Sequence, residues 1–170
     1  MSNAAQAMVN ELKQEAGATR RVLERVPADR LDWQPHAKSM SLGQLALHVA
    51  SIPGNLSRLC QGDGIDASTV SFSPPSPQSA ADLLPTLERS IEDASAFLSG
   101  LDDQSAAAPW RLTFGEREVF SIPRLGVARS LLLNHWYHHR GQLVVYLRLL
   151  DVPVPAVYGR SADDNPFAAA

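Results

Sequence analysis

"LLLNHWYHHRGQLVVYLRLL", residues 131–150, holds three of the chain's five histidines in a segment otherwise dominated by leucine and valine. Nothing in it breaks a helix. Successive helical residues turn by ~100°, so positions four apart return to within ~40° of one another. His135 and His139 therefore share a face, which Gln142 and Tyr146 continue. Ala128, Leu131 and Leu132 extend the same stripe toward the start of the helix, so the two histidines are expected on the side that buries itself. His138 falls toward the edge of that face.

The rest of the chain supplies three more helices. In residues 4–26, Val9, Leu12, Ala16, Thr19, Leu23 and Val26 recur at alternating spacings of three and four, and Pro27 ends the pattern. Ser41 followed by Gln44 forms a capping box, with Met40 and Leu45 placed as a hydrophobic staple. The helix it opens runs to Cys60 and is disturbed at Pro53–Gly54. Residues 61–78, rich in glycine, serine and proline, read as a loop. Ser79 caps a third helix with Leu83, Leu87, Ile91, Ala94 and Leu98 on one side. Residues 100–121 form a second connector, in which "WRLTFGEREVFSI" allows a short hairpin about Gly115. The fourth helix begins near Pro123 and ends before Pro153, and the proline-rich tail "VPVPAVYGRSADDNPFAAA" is irregular. The expected fold is all-α: an antiparallel four-helix bundle with long connectors, one domain spanning residues 1–170.

Composition narrows the function. With 170 residues, 45% of them hydrophobic and 19% charged, the chain can bury one core. A net charge of −3 lacks the basic excess of a nucleic-acid surface, and Arg20–Arg21 reads as a solvated helix face. Cys60 is the lone cysteine, which excludes an internal disulfide and fits a reducing compartment. The N-terminal stretch lacks the charged-then-apolar order of a signal peptide, and no run reaches the ~18 apolar residues of a membrane span. A cytoplasmic location is expected.

A buried neutral imidazole must satisfy two ring nitrogens. A single one is commonly an accommodated core residue. Two on one stripe are harder to satisfy, and a divalent metal resolves the difficulty by taking a lone pair from each. His48, in "LGQLALHVASI", adjoins the stripe of Leu45, Val49 and Ile52 and is the third candidate nitrogen. The alternative for His48 is a hydrogen-bonded boundary position. His36 reads as a solvent-exposed loop residue.

Three stretches, "SMSLGQLALHVASI", "NHWYHHRGQLVVYLRLLDVPVP" and "VYGRSADDNPF", together resemble the DinB family of small four-helix metalloproteins. The resemblance runs from about residue 5 to residue 167. It implies that His48, His135 and His139 are metal ligands and that His138 is the non-ligating member of the doubled pair. It also implies a divalent ion, nickel or zinc foremost, and a homodimer. Some members of that family are thiol-dependent transferases or isomerases, so a small-molecule substrate, such as a low-molecular-weight thiol, is implied as well. Asn134 and Gln142 are candidates to orient ligands, with helix packing and solvent exposure as the alternatives. Arg140 reads as a surface ion-pair partner, with an anionic substrate group as the alternative, and Tyr158 and Asp163 as residues of a tail folded over one end of the bundle, with bordering the site as the alternative. The leading expectation is a metal-dependent transferase, isomerase or hydrolase with an open coordination position. The rival is a non-catalytic metal- or small-molecule-binding stress protein.

Overall fold

The computed structural model describes residues 1–71 and 73–167. Helix α1 spans Asn3–Leu23, α2 Leu42–Gln61 and α3 Leu83–Ser99. A short α4, Asp103–Ala107, precedes the last helical run, which begins as α5, Arg124–Val127. That run widens into a π-helical stretch, Ala128–Asn134, and continues as α6, His135–Leu149. The local signals behave as expected: Ser41 Oγ accepts from Gln44 N, and Gln44 Oε1 accepts from Ser41 N at 2.9 Å. At the third helix the capping pair is Ser79 and Asp82, whose carboxylate accepts from Ser79 N before a 3₁₀ turn leads into α3.

The expectation of an all-α chain is corrected by a three-stranded mixed sheet. Strands β2, Pro109–Phe114, and β3, Arg117–Pro123, form the antiparallel hairpin about Gly115, whose φ of +60° suits glycine. The third strand, β1, Gly64–Asp66, comes from the stretch read as loop and pairs parallel with β2, Gly64 opposite Arg111. A glycine makes that pairing possible: a Cβ at position 64 would stand 2.3 Å from the Arg111 carbonyl oxygen. Asp66 then ties strand to hairpin, its Oδ1 accepting from Gly115 N at 2.9 Å. Arg124 closes the assembly by donating to Gly62 O, Asp63 Oδ1 and Ser105 O.

The main core draws on α1, α2, α3 and α6, with Leu12, Leu42, Leu45, Val49, Leu98, Trp136 and Leu143 among its buried members. A smaller cluster of Cys60, Trp110 and Val127 lies under the sheet, with Leu131 packed against it. The π-helical stretch sets the last helix's facing. Val127 and Leu132, and likewise Ala128 and Leu133, are all buried at spacings of five, after which burial continues at Trp136, Arg140, Leu143 and Leu147. The wide turn thus admits one extra residue and rotates everything after it. The expected buried stripe through His135 and His139 is corrected accordingly: both rings lie half-buried on the flank of that stripe.

Candidate metal centre

His48 projects from the second turn of α2, and His135 and His139 from the first two turns of α6. One potential ligand nitrogen from each lies within 4.8 Å of those of the other two. His48 Nε2 and His135 Nε2 are 3.4 Å apart. The ring centroids of His48 and His139 are 4.6 Å apart, and those of His135 and His139 4.5 Å. No carboxylate or thiol joins them among the described residues.

Two observations test whether this donor set fits a metal ion. An N–H···N hydrogen bond prefers a shorter separation than 3.4 Å. Two nitrogens each ~2.05 Å from one tetrahedral ion would sit roughly 3.3 Å apart. The second observation concerns tautomers. His139 Nδ1 donates to Gln142 Oε1 at 2.7 Å, which leaves Nε2 as the ring's bare lone pair. The donor set therefore fits a divalent ion in number and spacing, and His139 fits it in tautomer as well.

The electrostatics agree. Burial, followed by the neighbouring imidazoles, lowers the pKa of His48 and of His135 to about 4, so both rings are neutral at pH 7. His139 is lowered by burial, with Gln142 opposing the shift and His138 adding to it. His48 and His135 therefore each keep one unprotonated ring nitrogen at pH 7.

The other candidates go elsewhere. His138 is exposed and meets His139 edge-on, 4.9 Å between centroids, outside the cluster. Asn134 is exposed. His36 is an exposed loop residue whose Nδ1 accepts from Lys38 N. Arg140, expected at the surface, is buried: it pairs with Glu15 of α1 at 2.6 Å and donates to Glu15 O, Thr19 Oγ1 and Tyr158 Oη. Tyr158 also donates to Glu15 Oε2 and so fastens the tail to α1. Asp163 pairs with Arg148 and accepts from Val154 N, again holding the tail. Their hydrogen bonds and ion pairs go to Glu15, Arg140, Arg148 and Val154, and none of these goes to the three histidines.

Three anchors hold the last helical run against α2, the segment before α2 and the sheet, and sequence reasoning names none of them as such. Trp136 Nε1 donates to Val49 O at 2.9 Å, beside the cluster. Tyr146 Oη donates to Met40 O, and the Tyr146 ring takes Trp33 edge-on at 5.7 Å. Leu131, one turn before His135, rests on the sheet. A tryptophan beside a candidate ligand and a proline four residues past a carbonyl were the signals available.

These features define a predominantly helical protein with a small mixed sheet and a three-histidine cluster that could hold a metal ion. The chain belongs to the DinB family, whose model matches residues 1–166. It is 25% identical over 153 residues to the uncharacterized protein YrdA of Bacillus subtilis strain 168, an alignment covering 88% of this chain and 85% of YrdA. A DinB-like protein from Bacillus cereus ATCC 10987 shares the fold with a TM-score of 0.68 at 22% identity, over 90% of this chain and 97% of that one. A DinB-like protein of Bacillus subtilis, YjoA, does so with a TM-score of 0.64 at 19% identity, over 85% of this chain and 92% of the other. Among the described residues, no helix is long and apolar enough to cross a membrane.

Proposed function

We propose that this protein binds one divalent metal ion, nickel or zinc, through His48, His135 and His139, and uses it as a metal-dependent transferase, isomerase or hydrolase. The observation that carries the proposal is the convergence of three neutral imidazoles, two of them with Nε2 atoms 3.4 Å apart. Three imidazoles suit zinc, nickel or copper, so identity rests on analysis of the purified protein.

A divalent ion held there would supply Lewis acidity, lowering the pKa of a coordinated water or thiol and polarising a carbonyl. The chain's own contribution is orientation and charge. Gln142 holds His139 in one tautomer. Because the cluster includes no carboxylate, it leaves a divalent charge uncompensated and so favours an anionic ligand, such as a low-molecular-weight thiolate, at the open position.

The test is elemental analysis of protein purified without a histidine tag and dialysed. About one metal per chain is expected, and His135→Ala should lose it, because two imidazoles make a weak site. Equal metal content in that variant would remove His135 from the ligand set. We further propose a homodimer formed through helix faces turned away from the metal; Val145 and Leu149, exposed one turn apart on α6, are consistent with such a face. A monomer mass by light scattering across a wide concentration range would refute it.

A further inference from the structure

Helix α2 cannot complete its own hydrogen-bond ladder just after His48. Proline has no N–H, so the carbonyl of Val49, four residues before Pro53, receives no donor from its own helix. A buried carbonyl without a donor is costly. Trp136 supplies the donor from the long helix opposite: its indole Nε1 reaches Val49 O at 2.9 Å, and its ring is fully buried. One residue past Pro53, Gly54 N donates to Ser90 Oγ of α3 at 2.7 Å. The approach there is so close that a Cβ at position 54 would stand 3.0 Å from Ser90 Cα. The interrupted turn of α2 is thus held from both sides.

The placement of this clamp matters more than its existence. Val49 follows His48 in the chain, and Trp136 follows His135. The hydrogen bond therefore ties the backbone beside one imidazole to the side chain beside the other. A sub-ångström slip between the two helices would open the 3.4 Å gap between His48 Nε2 and His135 Nε2.

We propose that Trp136 is a positioning residue for the three-histidine site, acting through the Val49 carbonyl that Pro53 leaves free; the proposal rests on the metal-binding function above. Trp136 contributes no atom to the cluster; it sets the distance between two of the ligands.

The deciding experiment compares wild type, Trp136→Phe and the double variant Trp136→Phe/Pro53→Ala for cobalt affinity, cobalt visible spectrum and thermal midpoint. Trp136→Phe keeps an aromatic ring but removes the N–H, and cobalt should bind about tenfold more weakly, with a changed spectrum. In the double variant, the Pro53→Ala change restores a backbone N–H that can donate to Val49 O from within α2. The thermal midpoint should recover, but affinity should not, because the tie between helices is still missing. Wild-type affinity in Trp136→Phe, or recovery of affinity together with stability in the double variant, would overturn the proposal. Should wild-type protein bind no cobalt, the metal-binding function fails instead. Imidazole nitrogen resonances of His48 and His135 in the metal-free proteins then decide the positioning role alone: a shift in Trp136→Phe that persists in the double variant supports it, and no shift refutes it.

Discussion

His139 gives its Nδ1 proton to Gln142 Oε1 across 2.7 Å, one turn along the same helix. A ring free to exchange tautomers spends part of its time with the proton on the nitrogen a metal needs. Here that choice is made before any ion arrives. Gln142→Leu preserves size and helix propensity but removes the acceptor. Metal affinity should fall about tenfold, within the usual cost of removing an outer hydrogen-bond partner. Isothermal titration with zinc checks it, and an unchanged dissociation constant would show that Gln142 plays no orienting part.

The depressed pKa values of His48 and His135 make the metal-free protein acid-sensitive above the carboxylate range. In the unfolded chain both rings take up protons near pH ~6.5. In the folded chain they stay neutral down to about 4. Between those values the unfolded state binds more protons, so stability declines as pH falls, and the decline from these groups ends once the folded rings protonate. Thermal midpoints of metal-free protein from pH 7 to 4.5 should therefore drop, and His48→Gln should flatten the slope. An equal slope in the variant would show that His48 is not depressed.

Much of this was legible because it is local. Capping at Ser41, the end of the first helix ahead of Pro27, the turn at Gly115 and the shared face of His135 and His139 each depend on residues within a turn of one another. What escaped the sequence depends on distance or on a count of residues per turn. β1 carries no alternating pattern, and only Arg111–Thr113, far along the chain, makes it a strand. The buried stripe was misplaced because a 100° projection from Ala128 does not survive a π-helical turn. Glu15 and Arg140 look like surface charges until α1 and α6 are brought together, and Tyr158 gives no hint that its partner lies on α1.

That buried pair yields a stability prediction. The side chains of Arg140 and Glu15 are 2% and 11% exposed, at 2.6 Å. The Arg140 guanidinium also lies 5.3 Å from the centroid of the Tyr137 ring and 5.1 Å from that of Tyr158. Arg140→Met leaves the Glu15 carboxylate without its cation and should cost about 3 kcal/mol in urea unfolding. Adding Glu15→Met should restore part of that loss, because it removes the stranded charge. A double variant as unstable as the sum of the two singles would mean that the residues do not interact.

The remaining question is whether the proposed metal site is open. His48, His135 and His139 supply three donors, and no carboxylate or thiol of the described chain joins the cluster as a fourth. A fourth position taken by solvent exchanges for a better ligand, and thiolate is a good ligand for zinc, nickel or cobalt. With cobalt in the site, a simple thiol should produce a sulfur-to-cobalt charge-transfer band. The band should grow with pH as the thiol ionises and be missing from His48→Ala. Thiols that merely strip the ion would instead bleach the visible spectrum, which separates the two outcomes. If neither a thiol nor another small anion perturbs the cobalt spectrum at any pH where metal stays bound, the site is closed. The ion would then hold α2 to α6 as a structural element, and the non-catalytic function would replace the catalytic one.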